Sequence, residues 1–512
     1  MDVTNREARP PHKFRRRARI LLPLLGISLV GIGLAVAPSV AVLAVACVVA
    51  AVVALLLARA ALAWSGGSAS YRVRGAEMGP STDTGGLRIA RILYYAGLLS
   101  VGLLSIRPVL NLTLSDLIFF AALVVGVLEM LANRQRMGGV LPGGVLLGVA
   151  LFAAGGSISS LSAQLPGESL GIVARMVYIT LLWFWLGAVV LKTSGQVRTA
   201  VRLWVVSAAI TGGAGLAQLI FGNVIPGTAI QFGRMTGFTT QVNELGGITS
   251  IALVPALMMA TQAKRLLPRL IAYGLLLLVG IGLVVSGSVS GMLAAAVGVL
   301  FWVGLVGPSA RLTLVIVGAA LAGTFLLSSH PSQIVTPLQR LNTVVSAEDA
   351  SGTFWSRMEI NAVAWRRIQA SPVVGVGLDS ESSLAVLDAQ VHNSLLGVWY
   401  EAGLLGLLGL AFLLVAVIAC GRRVANRARS MPEWLLAVSL FSSCLTWVIY
   451  GMANPVLYKR YGWIAAVLIL SLRAQRCIRP NTRTFTSQMA TESGTGAALE
   501  KYIPRWISGR HA

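Results

Sequence analysis

The sequence predicts an all-α, polytopic membrane protein, and three observations carry that expectation. Hydrophobic residues make up 56% of the 512-residue chain and charged residues only 12%, about half the charged share of a soluble domain. Mean hydropathy is +0.78. The charges are gathered into short clusters between long apolar runs, which is the pattern of helices crossing a bilayer rather than of one core wrapped in polar surface. Soluble multidomain enzymes are therefore excluded. The net charge of +23 does not indicate a nucleic-acid partner, because Arg and Lys sit at the ends of apolar runs and form no basic stripe interleaved with stacking aromatics.

A crossing helix needs about 20 apolar residues, and about fourteen runs approach that length. They lie near 20–37, 40–63, 92–106, 112–131, 140–158, 170–191, 203–221, 245–261, 270–285, 291–306, 312–327, 395–418, 434–450 and 461–472. Lys13, Arg15, Arg16, Arg17 and Arg19 precede the first run and place the N-terminus inside. The opening resembles a signal peptide with Ala35-Val36-Ala37 as a cleavage site. Pro38 follows and a second span begins at once, so a retained hairpin anchor is the more economical reading. Alternation from an inside N-terminus then puts most of the Arg and Lys residues on the cytoplasmic side, including loops with Arg72, Arg74, Arg88 and Arg91, with Lys264, Arg265 and Arg269, and with Arg422, Arg423, Arg427 and Arg429. Cys47, Cys420 and Cys444 lie in or beside apolar runs and Cys477 in the tail, so none staples an outer loop and no pair has zinc-ligand spacing.

The expected organisation is a basic cytoplasmic N-terminus over 1–19, membrane helices over 20–327, a long extracytoplasmic loop over 328–391, three more membrane helices over 392–472 and a flexible cytoplasmic tail over 473–512. The loop is where function is expected. It carries four Arg, no Lys and six acidic residues. Within it Phe354, Trp355, Met358, Ala362, Trp365 and Ile368 recur at helical steps and Ser371-Pro372 ends the run, which predicts an amphipathic helix lying on the membrane. Arg357 projects about 100° from Met358, at the margin of that stripe.

Of the four histidines, His12 and His511 are near the chain ends and His330 precedes Pro331. His392 differs, because it stands where the loop enters a span, at the water boundary with its imidazole free to titrate. On a continuous helix Gly403 would lie about 20° from His392 around the axis and Gly406 about 40° to the other side. Those glycines either open a groove for a lipid chain beneath the histidine or simply let a neighbouring helix pack closely.

His392-Asn393, nine residues, Gly403, two residues and Gly406 resemble the signature of the O-antigen ligase and polymerase superfamily at every defined position. Arg357 with Trp365, Pro372 and Gly375-Val376-Gly377 looks like the run that precedes this signature. Arg234-Met235-Thr236-Gly237-Phe238 with Asn243, and Leu114-Ser115-Asp116, are similar to two further family segments, so the likeness spans about 112–410. One position departs: where the family commonly carries Ser-Arg-Gly, Ser288-Val289-Ser290-Gly291 puts valine at the arginine position.

The resemblance implies a glycan ligase or polymerase that moves a glycan from a polyprenyl-diphosphate carrier to a hydroxyl of an acceptor glycan or glycolipid, at the outer face of the inner or plasma membrane. Such chemistry asks for a base near the acceptor hydroxyl and for cations on the departing diphosphate. His392, carried over from the family histidine, is the candidate base, with an ordinary pKa near 6.5 expected. Arg357 is the candidate diphosphate clamp; Arg234, Arg340, Asn393, Gly403 and Gly406 are candidate substrate-binding residues. No metal or other cofactor is implied if guanidinium groups neutralise the leaving group, although Asp379, Glu381 and Asp388 are acids in the same loop. The alternative is a flippase or transporter of lipid-linked glycan, which would place ionisable residues in mid-membrane and show paired halves. The sequence shows neither an internal repeat nor a cluster of buried charges; Asp116, Glu129 and Glu401 read as span-end or isolated residues. A scaffold role is suggested only by Val289.

Overall fold

The computed structural model describes residues 84–106, 113–132, 141–223, 225, 228–307, 353–384 and 390–478. Among them the regular elements are all helical: α1 (Gly85–Ser100), α2 (Leu114–Ala132), α3 (Gly143–Ser160), α4 (Pro166–Val190, with a π turn at Tyr178–Leu182), α5 (Ser194–Phe221), α6 (Val242–Gln262), α7 (Leu266–Val285), α8 (Val289–Val306), α9 (Thr353–Ala370), α10 (Ser380–Leu384), α11 (Ser394–Asn426), α12 (Met431–Gly451) and α13 (Arg460–Ile478). Nine of these described helices, α2 to α8 with α11 and α12, are long and apolar enough to cross a membrane. The runs at 20–37, 40–63 and 312–327, together with Arg340, Asp388 and nearly all of the tail, lie outside the described residues. The runs at 92–106 and 461–472 are helices α1 and α13, which are not among the nine.

Helix starts depart from the apolar runs where a cap, not hydropathy, sets the boundary. α5 begins at Ser194 rather than near 203 because Thr193 accepts from the Gln196 N–H while the Gln196 side chain accepts from the Thr193 N–H. This reciprocal box satisfies amides that a helix end leaves open, and it carries Arg198 and Arg202 onto the helix. α1 starts at Gly85 without a side-chain cap bond, and Arg88 and Arg91, expected in a loop, are helix residues.

Lipid gives two apolar helices no reason to associate beyond the fit between them, so small residues set the contacts. α3 lies against α11 through Gly148, which faces the Gly409 and Leu413 backbone, and Gly155, which faces Ala402 and Gly406. α5 crosses α7 at Gly212, against the Leu278 carbonyl and Gly282. A methyl group at any of these would meet backbone that cannot swing away. Large side chains fill the remaining core; Trp183, Trp204, Trp302, Trp434 and Trp463 are all fully buried.

The absence of buried charge expected from sequence is overturned. Asp116 of α2 and Arg460 of α13 form an ion pair with both side chains under a tenth exposed, and Lys459 pairs with the buried Glu244 of α6 at 2.7 Å. The partners are 344 and 215 residues apart, so no local pattern announces them. Removing charge from water is costly unless it is matched, and here adjacent cations of the α12–α13 junction are matched by acids on two different helices.

Candidate functional site

α9 forms where the three- and four-residue spacing indicates, and it ends at Ser371, whose N–H still bonds the Arg367 carbonyl at 3.0 Å. Its buried face is turned from the expected one: Ile360, Ala364 and Ile368 pack with Val391, Leu396 and Tyr400, whereas Ala362 is exposed. The stripe thus covers the start of α11. Arg357 is three residues before Ile360, about 60° round the helix, and so stands at the edge of that contact. Its Nη1 donates to the Ala453 carbonyl at 3.3 Å.

The start of α11 is fixed by Asn393, whose side-chain oxygen accepts from the N–H groups of Leu395 and Leu396 at 3.0 and 3.1 Å. This N-cap leaves His392 just outside the helix. The imidazole is half-buried, and its Nδ1 is buried with no hydrogen-bond partner among the described residues. Burial, and then the Arg357 guanidinium beside it, push His392 down to about 4. The expectation of an ordinary value near 6.5 is therefore corrected: both causes disfavour imidazolium, and the ring is neutral throughout the physiological range.

The segment joining α12 to α13 ties these pieces together. Ser394 donates to the Asn454 carbonyl at 2.8 Å and accepts from the Val456 N–H, while the Asn454 amide donates to Ser290 Oγ at 2.8 Å. Ser290 belongs to the Ser288–Gly291 segment in which valine stands at the family arginine position. Sequence reading missed Asn454 and Tyr450, because an Asn before Pro and a Tyr at a span end read as turn and interface residues.

Arg234 is buried, at 7% exposure. A tight turn through Phe232 and Gly233, both at positive φ, lets Gln231 and Arg234 exchange backbone bonds and turns the guanidinium inward. Its Nε donates to the Ser286 carbonyl at 2.7 Å and its Nη2 to Asn243 at 2.9 Å. Asn243 in turn accepts, through its carbonyl, from the Tyr450 hydroxyl. Arg234 is thereby tied to α12 through Asn243, while Arg357 lies beside His392 and bonds the Ala453 carbonyl just after α12.

Gly403 and Gly406 both stand at close backbone approaches. The helix breaks at Gly403, where φ is 68° and ψ −169°, so the uninterrupted projection from His392 to Gly406 does not hold. A break frees carbonyls that must be bonded elsewhere. The Val376 N–H bonds the Tyr400 carbonyl at 2.9 Å, the Gly377 N–H bonds the Glu401 carbonyl at 3.1 Å, and the Leu404 N–H turns to the Val373 carbonyl at 3.2 Å. A Cβ at Gly375 would strike the Glu401 backbone and one at Gly403 would strike Val373. Gly375-Val376-Gly377 and Gly403 are thus two halves of one backbone splice. Gly406 lies in the close approach to Gly155, which is the packing alternative.

Among the acids, Asp379 is buried and caps α10 by accepting from the Ser382 N–H at 2.8 Å. Glu401, read as isolated, accepts from Tyr458. Among the described residues no three His, Cys, Asp or Glu side chains converge as a metal-ligand set.

Residues 274–411 match a family model described as O-Antigen ligase. That segment runs from α7 through the Ser288–Gly291 turn and α9 to the Gly403 break, and it contains His392 and Arg357. The chain is also similar to an O-antigen ligase of Pseudomonas aeruginosa, 29% identical over 347 residues that cover 66% of this chain and 77% of the relative.

Proposed function

With the O-antigen ligase superfamily supported for this multispanning chain by both matches, we propose that it transfers a glycan from a polyprenyl-diphosphate carrier to an acceptor hydroxyl at the outer membrane face. In this reading the acceptor oxygen attacks the anomeric carbon and the bond from that carbon to the diphosphate breaks. The electron pair leaves with the diphosphate, and the acceptor proton passes to His392. The observation that carries it is the half-buried imidazole with an unpartnered Nδ1 beside Arg357, inside the matched segment.

The depressed basicity of His392 fits this sequence of events. In the free protein the imidazole is neutral, as a base must be, but weak. Burial is the larger cause of the depression and would remain, but a diphosphate on Arg357 would neutralise the second, the guanidinium charge. An anion beside imidazole also favours its protonated form, so the base strengthens when the donor is bound. Arg357 and Arg234 are the proposed diphosphate cations, Arg357 first because its guanidinium lies beside the His392 imidazole. Guanidinium groups suit this task because they stay charged and meet phosphate oxygens in pairs, which makes the reaction metal-independent. The segment 328–391 is read as extracytoplasmic, with both termini cytoplasmic.

A flippase of lipid-linked glycan is the second reading, favoured by the ion pairs Asp116–Arg460 and Glu244–Lys459 at helix starts, since ionisable groups within a bundle often mark transport paths. Incubating the purified protein with lipid-diphosphate oligosaccharide, with and without chelator, separates the two. Longer lipid-linked chains indicate a polymerase and transfer to a different acceptor indicates a ligase. Carrier movement without bond formation, or full transfer by His392→Ala, would sink the proposed chemistry.

A further inference from the structure

A cavity of about 290 Å³ lies at the far end of α9 from Arg357, lined by Ser162, Gln164, Arg367, Ile368, Ser382 and Tyr400 together with residues 374–376. Arg367 is ten residues after Arg357, about 15 Å along the helix, so this cavity is separate from the surroundings of His392. We propose that it is a saccharide subsite that holds one sugar ring of the glycan being transferred or extended. The proposal rests on the glycan-transfer reading and deepens it.

Three features point to a sugar. The first is an unmet polar group: Tyr400 is 1% exposed, yet its hydroxyl has no hydrogen-bond partner among the described residues. A buried hydroxyl left unbonded costs about 1–3 kcal/mol, and a ligand hydroxyl at the inner wall would supply the missing bond. The second is the lining, in which hydroxyl and amide groups that both donate and accept face the aliphatic Ile368. That mixture matches the polar rim and apolar face of a pyranose, and the exposed Arg367 in the lining adds a cation for an acidic sugar. The third is rigidity. Ser382 Oγ accepts from the Gln164 N–H at 2.7 Å, Ser162 Oγ donates to the Gly375 carbonyl at 3.3 Å, and Ser371 Oγ donates to the Val374 carbonyl at 3.1 Å. The walls are therefore set before a ligand arrives, which lowers the ordering cost of binding. The volume falls at the small end of ligand pockets and suits a single ring.

The test is saturation-transfer NMR on the full chain in lipid nanodiscs, which avoid the sugar headgroups of maltoside detergents, with D-glucose, D-glucuronate and inorganic phosphate as probes. Both sugars are expected to give a signal, the glucuronate signal being the stronger, and phosphate is expected to displace neither. Tyr400→Phe should weaken both sugars at least about threefold, the loss of one neutral hydrogen bond. It is a clean variant, because the hydroxyl it removes has no hydrogen-bond partner among the described residues. Arg367→Gln should abolish the preference for glucuronate. Absence of a glucose signal, displacement by phosphate, or signals unchanged in Tyr400→Phe would overturn the subsite. His392→Ala keeps the two proposals apart: sugar binding should survive it and glycan transfer should not. Lost binding in Tyr400→Phe with intact transfer in His392→Ala defeats the reaction and leaves the subsite standing.

Discussion

Replacing Gly403 by alanine tests whether this glycine builds the fold or touches substrate. At φ 68° and ψ −169° the residue occupies backbone space essentially reserved for glycine, and a side chain there costs on the order of 1–3 kcal/mol. The added methyl would also meet the Val373 carbonyl and the Gly375 amide nitrogen, loosening the Leu404 N–H bond to Val373; a backbone hydrogen bond contributes about 0.5–1.5 kcal/mol. Together the expected loss is about 2–4 kcal/mol. In a Cys47→Ser, Cys477→Ser background, the buried thiols of Cys420 and Cys444 provide the assay, because a fluorogenic maleimide reaches them only as the helices open. Gly403→Ala should lower the temperature of thiol exposure by several degrees. Gly397→Ala on the same helix is the control: its methyl would sit 3.6 Å from Val391 Cβ, an ordinary contact, and alanine is favoured over glycine in a helix by about 1 kcal/mol. That variant should be as stable as the parent or slightly more so. If Gly403→Ala melts with the parent but loses transfer, the splice argument fails and the glycine has a direct role with substrate.

Other perturbations follow from the same geometry. The acid limb of kcat/KM should fall near pH 4, where His392 of the free protein titrates, and residual transfer by Arg357→Gln should show that limb moved upward because a depressing charge is gone; an unmoved limb would remove Arg357 from the histidine's surroundings. The same shift has a sign for stability. Between about pH 4 and 6.5 the unfolded chain binds more protons at His392 than the folded chain, so this site makes stability rise with pH through that window, and His392→Gln should flatten the rise measured by thiol exposure. Asp116→Asn leaves Arg460 buried and unmatched, a loss of about 3–5 kcal/mol; adding Arg460→Met should recover much of it, and no recovery would mean the pair is not the cause. Asn393→Ala removes the cap of α11 at a cost of about 0.5–2 kcal/mol, and should lower the rate of transfer more than that of Gly397→Ala by releasing the residue next to His392.

Most of the helical architecture was legible because apolar length is a local signal: α2, α3, α6, α7, α8, α11 and α12 all fall where long apolar runs lie. α1 and α5 show the limit, since both begin with polar or charged residues ahead of the apolar run, and the Thr193–Gln196 box that starts α5 lies outside any hydropathy criterion. At the site, the pattern singled out His392 and Arg357, and the structure places the Arg357 guanidinium beside the imidazole. What could not be read was the environment. The depressed basicity of His392 depends on burial and on α9 folding back, and the pairing of Asp116 with Arg460 depends on contacts across most of the chain. The two glycine patterns were legible as patterns but not as a pair, because only the backbone bonds between 373–377 and 400–404 show that one completes the other.

The short connection after α12 has a mechanical consequence. Its neighbouring peptide groups at Ala453 and Asn454 grip the guanidinium of Arg357 and the first turn of α11 respectively, so cation and imidazole are both gauged from a common reference. Sway of either helix against the bundle is passed to both partners, and the gap between them is kept to a tolerance set by two adjacent links rather than by the whole protein.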